Sequence, residues 1–499
     1  MIINYIPLIT ILTPAVWFLL SPFLSRRVMH YLVPVICAIN FLLIMSLYPN
    51  VFSENIIELK ILTGLDIELN FSADSFNIFM GIISSFIWIL SSVYAVEYQK
   101  EDEAVGRYDT FSLLSLSGML GIIFSGNLFT LYIFFELLMV ASAVLIFHSQ
   151  THASLKAGLL YIFCNIIGGM ILLLVIIATY NYTGTGDLSL IGAGLKNHPA
   201  LPYIFWGYII GFGIKAGLFP FHIWLPSAHP VAPSPASALH SGIMIKAGVY
   251  GIIKVIYNIF GKEILGNSHT AMMSCLLILI LITILFGSII AITQINIKRM
   301  LAYSSISQIG CIMMGAVLLS PSGLKGAFLH IFNHALIKCN LFLCAGFFIR
   351  KTGLKEIPGL RGIGRKMPIT TFCFTISALS IIGSPPFNGF VSKWFLSLGA
   401  LEAEKIGFYY SGTGLICLVI LLISSFLGLV YYSPLVIGGW FGDKDAEKLN
   451  LSGAIAEEIK DGNLWMIIPI LVLTFCIIFF GIYPKFPMSM VEIMVAEYF

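Results

Sequence analysis

Charged side chains are scarce in this sequence. Only 10% of its 499 residues are Asp, Glu, Lys or Arg, and 58% are hydrophobic, whereas a soluble domain carries about 25% charged residues. This scarcity excludes a soluble globular protein, and no segment is long enough to form a separate catalytic domain. The net charge of +3 is also too small, in so apolar a chain, to indicate a nucleic-acid partner. We therefore predict a multi-pass protein embedded in the lipid bilayer.

Closely spaced cysteine pairs are absent as well. The nine cysteines all fall in apolar segments, and none belongs to a CxxC motif that could hold zinc or a metal cluster. We interpret them as small apolar residues. His330 and His334 have the spacing of two metal ligands on a helix, but no acid or thiolate pattern completes such a site. The sequence thus predicts no metal, no cofactor and no redox centre in the chain itself.

Long apolar runs make up most of the sequence. A helix needs about 20 apolar residues to cross a bilayer, and runs of that length predict about fourteen spans. The first run lacks a basic leader and is interpreted as a retained helix rather than a signal peptide. Gly126 and Asn127 are typical of a tight turn and divide residues 110–148 into two spans. The predicted spans are 4–22, 29–48, 75–97, 110–126, 128–148, 155–180, 202–222, 237–260, 271–293, 300–319, 325–349, 368–400, 414–436 and 465–484.

Basic residues are distributed unevenly between the two sides of this topology. Lysine and arginine accumulate in cytoplasmic loops, and an outside N-terminus places sixteen of them inside and six outside. This asymmetry predicts that both termini lie outside the cell membrane. The sixteen are Arg26, Arg27, Lys100, Arg107, Lys156, Lys298, Arg299, Arg350, Lys351, Lys355, Arg361, Arg365, Lys366, Lys444, Lys448 and Lys460.

Three charged residues, Glu136, Lys215 and Lys246, lie near the middle of predicted spans. A charge at that depth is costly unless it faces a partner or a water-filled path, so it is by default a candidate for transport. A structural ion pair that locks two helices together is the alternative interpretation of Glu136. We expect Glu136 to pair with Lys215. Lys254, near the end of its span, is expected to extend its amine toward the membrane surface.

A polar stripe is predicted on the eleventh span. His330, His334 and Lys338 are four residues apart, which places them on one face of a helix. Histidine changes its charge near neutral pH, so the two imidazoles beside a lysine are candidates for a proton relay.

Histidines also flank the loop between the Lys215 and Lys246 spans. His222 and His240 bracket a stretch rich in proline and small residues. We interpret it as a proton entry with these two histidines as further relay candidates. The alternative is a loop at the membrane interface, where Trp224 would anchor at headgroup level.

Two spans contain the same helix-breaking motif, GxxPF, at Gly217–Phe221 and at Gly383–Phe387. Proline removes a backbone donor and clashes with the preceding turn, so a helix kinks or unwinds there. The first motif follows Lys215 and the second precedes Lys393. Paired interrupted helices in two halves of a transporter indicate an inverted repeat and its ion path. Two ordinary proline kinks are the alternative.

These motifs carry a family resemblance. The stretch GFGIKAGLFPFHIWLPSAHPVAPSPASALHSGIMIKAGVYG, with FFELLMVAS, HIFNHALIKCNLFLCAG and ISALSIIGSPPFNGFVSKW, resembles the antiporter-like subunits of respiratory complex I, of Mrp-type Na+/H+ antiporters and of energy-converting membrane-bound hydrogenases. The resemblance covers about residues 70–430. Which of these three groups the chain is nearest to stays open at this point.

The resemblance implies an all-α polytopic fold of fourteen helices with two inverted five-helix repeats and interrupted helices 7 and 12. The divisions are helices 1–3 in residues 1–109, the first repeat in 110–260, the second in 271–436, and a loop with helix 14 in 437–499. It also implies that protons are translocated along a series of residues. These are Glu136, Lys215, Lys246, His330, His334, Lys338 and a terminal Lys393.

The expected function is therefore that of a proton-translocating subunit whose partners are other membrane subunits of a complex. A stand-alone cation/H+ carrier and a membrane scaffold that does not transport are the alternatives. A carrier would transport as an isolated chain, whereas a scaffold would tolerate neutralisation of its buried charges. Whether the ion is H+ alone or also Na+ is left open by the sequence.

Overall fold

The computed structural model describes residues 2–52, 56–62, 68–188, 190–196, 198–442 and 460–499. Lys444 and Lys448, which enter the charge count above, lie outside the described residues, as does part of the loop assigned to residues 437–499.

Helices account for most of the described chain. Two short π-helical segments, His240–Met244 and Val255–Phe260, flank the helix Lys246–Lys254 and continue the helical path that begins at Ser234. The α-helices are α1 Ile6–Leu20, α2 Arg26–Val51, α3 Ser75–Tyr98, α4 Val105–Ile123, α5 Leu128–Phe147, α6 His152–Thr183, α7 Ile191–Leu195, α8 Leu201–Ala216, α9 Leu225–Ala228, α10 Ser234–Leu239, α11 Lys246–Lys254, α12 Gly261–Ser268, α13 Thr270–Ile292, α14 Ile297–Val317, α15 Pro321–Thr352, α16 Pro368–Ile382, α17 Asn388–Ile406, α18 Thr413–Phe441, α19 Leu464–Ile482 and α20 Lys485–Ala496.

Twelve helical segments of the described chain are long and apolar enough to cross a membrane. The chain is a multi-pass membrane protein, as predicted. Two predicted spans fall outside the twelve: 110–126 corresponds to α4, and 368–400 corresponds to α16 and α17. Helix α4 carries Arg107, Asp109 and several serines, which make it less apolar, and the second span is broken in two. The number fourteen and the inverted repeat remain predictions.

Both GxxPF motifs interrupt a helix. Helix α8 ends at Ala216, where Gly217 adopts φ +74°, and a short 3-10 turn follows at Phe221–Trp224. Helix α16 ends before Gly383, with φ +100°, and α17 begins at Asn388. These positive φ values are available to glycine without the steric penalty that a Cβ brings. The motif therefore ends one helical segment with a left-handed glycine before the chain turns at the proline.

Within the described residues, a β-hairpin departs from the all-α prediction. Strands β1 (Ile57–Leu62) and β2 (Glu68–Ala73) pair antiparallel in the segment between the second and third predicted spans. The hairpin is fastened to the turn before α5, because Gly126 N–H donates to Asn70 O (2.8 Å) and the Asn127 amide donates to Glu68 O (2.7 Å). The predicted turn at Gly126 and Asn127 is thus present, and it serves as the anchor of the hairpin.

Loops predicted to share a side do contact one another. Arg26, the first residue of α2, donates to Glu103 O at 3.1 Å. Arg350, at the end of α15, pairs with Glu101 at 3.1 Å, and Lys298 donates to Ala232 O at 2.9 Å. We call the side formed by these segments the basic face. The C-terminal end of α3 lies at the basic face. Its N-terminal end and the hairpin lie on the other side of the protein, which we call the opposite face.

The Asn127 anchor yields a stability prediction. Its side-chain oxygen accepts the Thr130 N–H (2.8 Å) as the N-cap of α5, while its amide holds the hairpin. We expect Asn127→Ala to lower the thermal denaturation midpoint in detergent, since loss of an N-cap costs about 1 kcal/mol and a second hydrogen bond is lost with it. Asn463→Ala, which removes only the N-cap of α19, should have a smaller effect. Equal midpoints for the two variants would contradict the anchor.

Candidate functional site

The lysines of the predicted proton path are buried inside the protein. At most 6% of each is exposed, and within the described parts of the chain no carboxylate oxygen lies within 4.0 Å of any of their ammonium nitrogens. Burying an ammonium group without a counter-charge is strongly unfavourable. We call them the core lysines: Lys215, Lys246, Lys338 and Lys393.

Glu136 lies on α5 facing α6. Its Oε1 is buried and has no hydrogen-bond partner, and a Cβ on Gly169 of α6 would overlap this oxygen. The absence of a side chain at Gly169 therefore leaves room for the carboxylate. The expected ion pair with Lys215 is wrong as a direct contact, although the two charges interact electrostatically.

Lys215 contacts a tyrosine instead. Its ammonium group donates to Tyr161 Oη at 2.5 Å, and Tyr161 Oη lies 2.6 Å from Ser142 Oγ. Tyr161 comes from α6 and Ser142 from α5, six residues beyond Glu136. Our sequence reasoning missed both residues, and a polar side chain inside an apolar span was the available signal. A hydroxyl thus occupies the place expected for the carboxylate.

The interrupted helix α8 explains the position of Lys215. The lysine lies in its last turn, where the unsatisfied carbonyls of a helix end favour a cation. Trp224, which the alternative interpretation of the loop places at the membrane interface, is buried and donates to Ile214 O at 2.8 Å. It also packs edge-on against Tyr161, with ring centroids 4.9 Å apart. That alternative is wrong for Trp224, because its indole donates to a carbonyl beside the break in α8.

The two relay histidines of the loop have different surroundings. His240 is buried, and its ring lies 5.9 Å from that of Tyr161 and 6.4 Å from that of His229. His222 lies instead between Phe219 and Phe286, at 5.7 and 4.7 Å. No hydrogen bond joins the side chain of His222 to another candidate residue within the described structure. The loop therefore brings His240 to the site with His229, whereas His222 lies apart.

Lys246 and His334 meet directly. The lysine Nζ lies 2.6 Å from His334 Nδ1 and donates to Ser241 O at 2.8 Å. Ser241 belongs to the π-helical segment before α11, and such a segment shifts the helical hydrogen-bond pattern. The contact joins two helices whose polar residues are 88 positions apart in the chain. The ring nitrogen Nε2 of His334 is buried without a partner.

The polar stripe of α15 continues on both sides of His334. The ring of His330 lies 6.2 Å from that of His334, with Nδ1 2.9 Å from Ser392 Oγ and Nε2 3.0 Å from Gln308 Oε1. Lys338 donates to Leu301 O at 3.0 Å. The three residues thus share a helix face, as their spacing predicts.

Lys393 lies beside the second interrupted helix. It donates to Ile382 O at 3.0 Å and to Ser425 Oγ at 2.8 Å. Ile382 is the last residue of α16, so this lysine also binds a carbonyl at a helix break. A cleft of about 420 Å³ between α17 and α18 reaches Lys393 from an apolar surface that includes Trp394 and Leu422.

Chemically, the arrangement suits proton exchange. Its basic groups contact hydroxyls, carbonyls, imidazoles and an amide, which can accept or donate hydrogen bonds without fixing a permanent ion pair. Among the described residues, no group of three or more His, Cys, Asp or Glu side chains has the arrangement of a metal site.

Comparison with known proteins identifies the family. Residues 125–419 match the family described as NADH:quinone oxidoreductase/Mrp antiporter, TM. The NADH-quinone oxidoreductase subunit N of Desulforudis audaxviator is 33% identical over 416 residues, which are 81% of this chain and 79% of the relative. The chain belongs to the NADH:quinone oxidoreductase/Mrp antiporter family. All four core lysines and Glu136 lie within the matched range.

A second relative and a solved structure are also similar to this chain. A putative antiporter subunit mnhA2 of Staphylococcus haemolyticus is 33% identical over 426 residues, 80% of this chain, and the match spans about half, 52%, of that relative. A chain in the structure of the Mrp complex from Dietzia sp. DQ12-45-1b has a TM-score of 0.86 at 22% identity, covering 100% of this chain and 98% of that one. The predicted family and its membrane-embedded helical fold are confirmed.

Gly169 provides a test of the Glu136 site. We expect Gly169→Ala to displace the carboxylate, because the new methyl group overlaps Oε1, and so to change the reaction of Glu136 with an apolar carbodiimide, measured by mass spectrometry. Gly213→Ala is the matched control on α8, since its Cβ meets its nearest atom, in Leu218, at an ordinary 3.5 Å. Unchanged labelling of Glu136 in Gly169→Ala would show that the carboxylate does not depend on this gap.

Proposed function

We propose that this chain is a proton-translocating, antiporter-like subunit of a multisubunit membrane complex. The observation that carries the proposal is the set of core lysines buried without carboxylate partners. A protein gains no stability from unpaired buried ammonium groups, so their presence requires a function. Transfer of protons between neighbouring basic groups supplies one.

The first segment of the path consists of Glu136, Lys215 and the two hydroxyls between α5 and α6. Lys215, Tyr161 and Ser142 form a hydrogen-bonded series that ends six residues from the glutamate along α5. A change in the distance between Glu136 and Lys215 alters the proton affinity of both groups, since opposite charges stabilise each other. Such a change would release a proton from Lys215 toward His240.

The second segment runs from Lys246 to Lys393. The Lys246–His334 contact provides a direct donor and acceptor pair, and His330 extends it toward Ser392, which is adjacent in sequence to Lys393. Buried nitrogens of His240 and His334 lack protein partners; buried polar groups of this kind are satisfied by internal water. Water at these positions would carry protons between groups that do not touch.

The coupling energy would come from outside this chain. It contains no cysteine motif for a redox cluster, and its relatives include a subunit of an NADH-quinone oxidoreductase and a putative antiporter subunit. We propose that neighbouring membrane subunits alter the charge environment of Glu136. We further propose that the chain resides in the cell membrane with both termini outside, as its basic loops favour.

The central test removes the charges at the start of the path. In the assembled complex reconstituted into vesicles, Glu136→Gln or Lys215→Ala should reduce proton transport by at least about 100-fold, since a required proton donor or acceptor is lost. Assembly should be unaffected, because neither side chain makes an ion pair within 4.0 Å. Lys325→Met, at an exposed ion pair, serves as the control. Normal transport by either variant would refute the proposal.

A milder effect is expected at the second segment. His334→Ala removes the partner of Lys246 and should slow transport by about tenfold, with water replacing the imidazole in part. Initial rates of vesicle acidification measure this effect. A rate equal to that of the unmodified protein would exclude His334 from the path.

The orientation is tested separately. When protease is added to intact spheroplasts or protoplasts, a protease-cleavable tag placed after Phe499 should be cut. The same tag inserted at Gln150, between α5 and α6, should be protected. The reverse pattern would invert the proposed sidedness.

A further inference from the structure

Lys254 does not extend toward the membrane surface as expected. Its side chain is 4% exposed and its Nζ lies 2.5 Å from Asp74 Oδ2. Among the five lysines assigned to spans, it is the one with a carboxylate partner in the described structure. The expectation is wrong because Asp74, 180 residues away in the chain, precedes α3 at the same depth.

A second acid connects this pair to solvent. Ser75, next to Asp74, donates to Glu497 Oε2 at 2.7 Å, and Glu497 also interacts electrostatically with Asp74 and Lys254. Glu497 lines an open cavity of about 1040 Å³ on the opposite face, together with Asn258, Lys262 and Tyr498. A cavity of this size holds many water molecules. Proton acceptors therefore extend from a buried lysine to the protein surface.

The same helix connects Lys254 with the core lysines. Lys246, Tyr250 and Lys254 are four residues apart on α11, so they lie on one face of the helix. Eight residues of helix separate the two ammonium-bearing residues by about 12 Å. The interval between them leads along this helix from the Lys246–His334 contact toward the opposite face.

Three aromatic rings fill that interval. The ring of Phe76 stacks on Tyr250 at 5.0 Å and contacts Phe328 at 4.9 Å, and all three side chains are fully buried. The Lys254 ammonium lies over two of them, 5.7 Å from the centre of Phe76 and 5.5 Å from that of Tyr250. Tyr250 Oη is held by Asn77 Oδ1 and Ile123 O. We call Phe76, Tyr250 and Phe328 the ring barrier.

We propose that Asp74, Lys254 and Glu497 form a second proton-exchange site at the opposite face, separated from Lys246 by the ring barrier. When the rings separate, a proton leaves the Lys246 ammonium and is taken up, through water, by the Asp74 carboxylate. Protonation neutralises the Asp74 carboxylate and so breaks its ion pair with Lys254, which keeps its positive charge. The proton then passes to the Glu497 carboxylate and on to water in the cavity, which restores the pair. This inference rests on the proposed function, since it presupposes that Lys246 carries protons.

The exchange site is tested by removing one charge at a time. In vesicles containing the assembled complex, Asp74→Asn should lower proton transport by about tenfold or more, and Asp74→Glu should restore most of it because the carboxylate is retained. The matched control is the Lys325–Glu492 pair on the same face, 2.6 Å apart and exposed, where Glu492→Gln should change transport less than about twofold. Full transport by Asp74→Asn, or no rescue by Asp74→Glu, would overturn the site.

The barrier is tested by passive leak. Phe328→Ala opens a gap among the three rings and should raise the proton permeability of vesicles, with no driving reaction running, by about fivefold or more. Phe475→Ala, which removes an exposed ring on α19, should leave it unchanged. A purely structural role would not raise the leak, and an unchanged leak in Phe328→Ala would overturn the barrier.

The two levels of inference fail differently. If Glu136→Gln and Lys215→Ala abolish transport while Asp74→Asn does not, the exchange site is wrong and the proposed function stands. If none of the three affects transport, the proposed function itself is wrong.

Discussion

The cost of burying an ammonium group without a counter-ion governs this structure. The four core lysines are surrounded by carbonyls, hydroxyls and imidazoles, which solvate a proton without holding it as firmly as a carboxylate would. A stable ion pair at each lysine would lower the energy of one charge state and hinder exchange. The proposed function fits the observation that Glu136 lies out of direct contact with Lys215, which donates to Tyr161 instead.

Breaks in helices supply much of this solvation. Both GxxPF motifs end a helix inside the protein, and a buried helix end leaves carbonyls that need donors. After α16, Lys393 donates to the Ile382 carbonyl. At the end of α8, the indole of Trp224 donates to the Ile214 carbonyl, and Lys215 donates to the Tyr161 hydroxyl. The π-helical turn before α11 presents the Ser241 carbonyl to Lys246 in a similar way. The same backbone irregularities that interrupt the spans thus position the titratable groups.

Much of the fold follows from the sequence, because membrane helices are set by local features. Apolar length located the spans, and glycine and proline located the breaks at Gly217 and Gly383. The spacing of His330, His334 and Lys338 predicted a shared face. What could not be predicted were contacts between faces of distant helices. Helix packing produces no periodic pattern in a single sequence. It determines the partner of Lys215, the burial of Trp224, the separation of His222 from the other candidate residues and the Asp74–Lys254 pair.

The hairpin β1–β2 has a consequence for the depth of the acid. Asn127 starts α5 and is fastened to Glu68, and Glu136 follows nine residues later, about 13 Å along the helix axis. A rigid helix transmits the position of its first residue to every residue beyond it. The hairpin therefore fixes the start of α5, and a shift of the hairpin relative to the bundle would move the Glu136 carboxylate relative to Gly169.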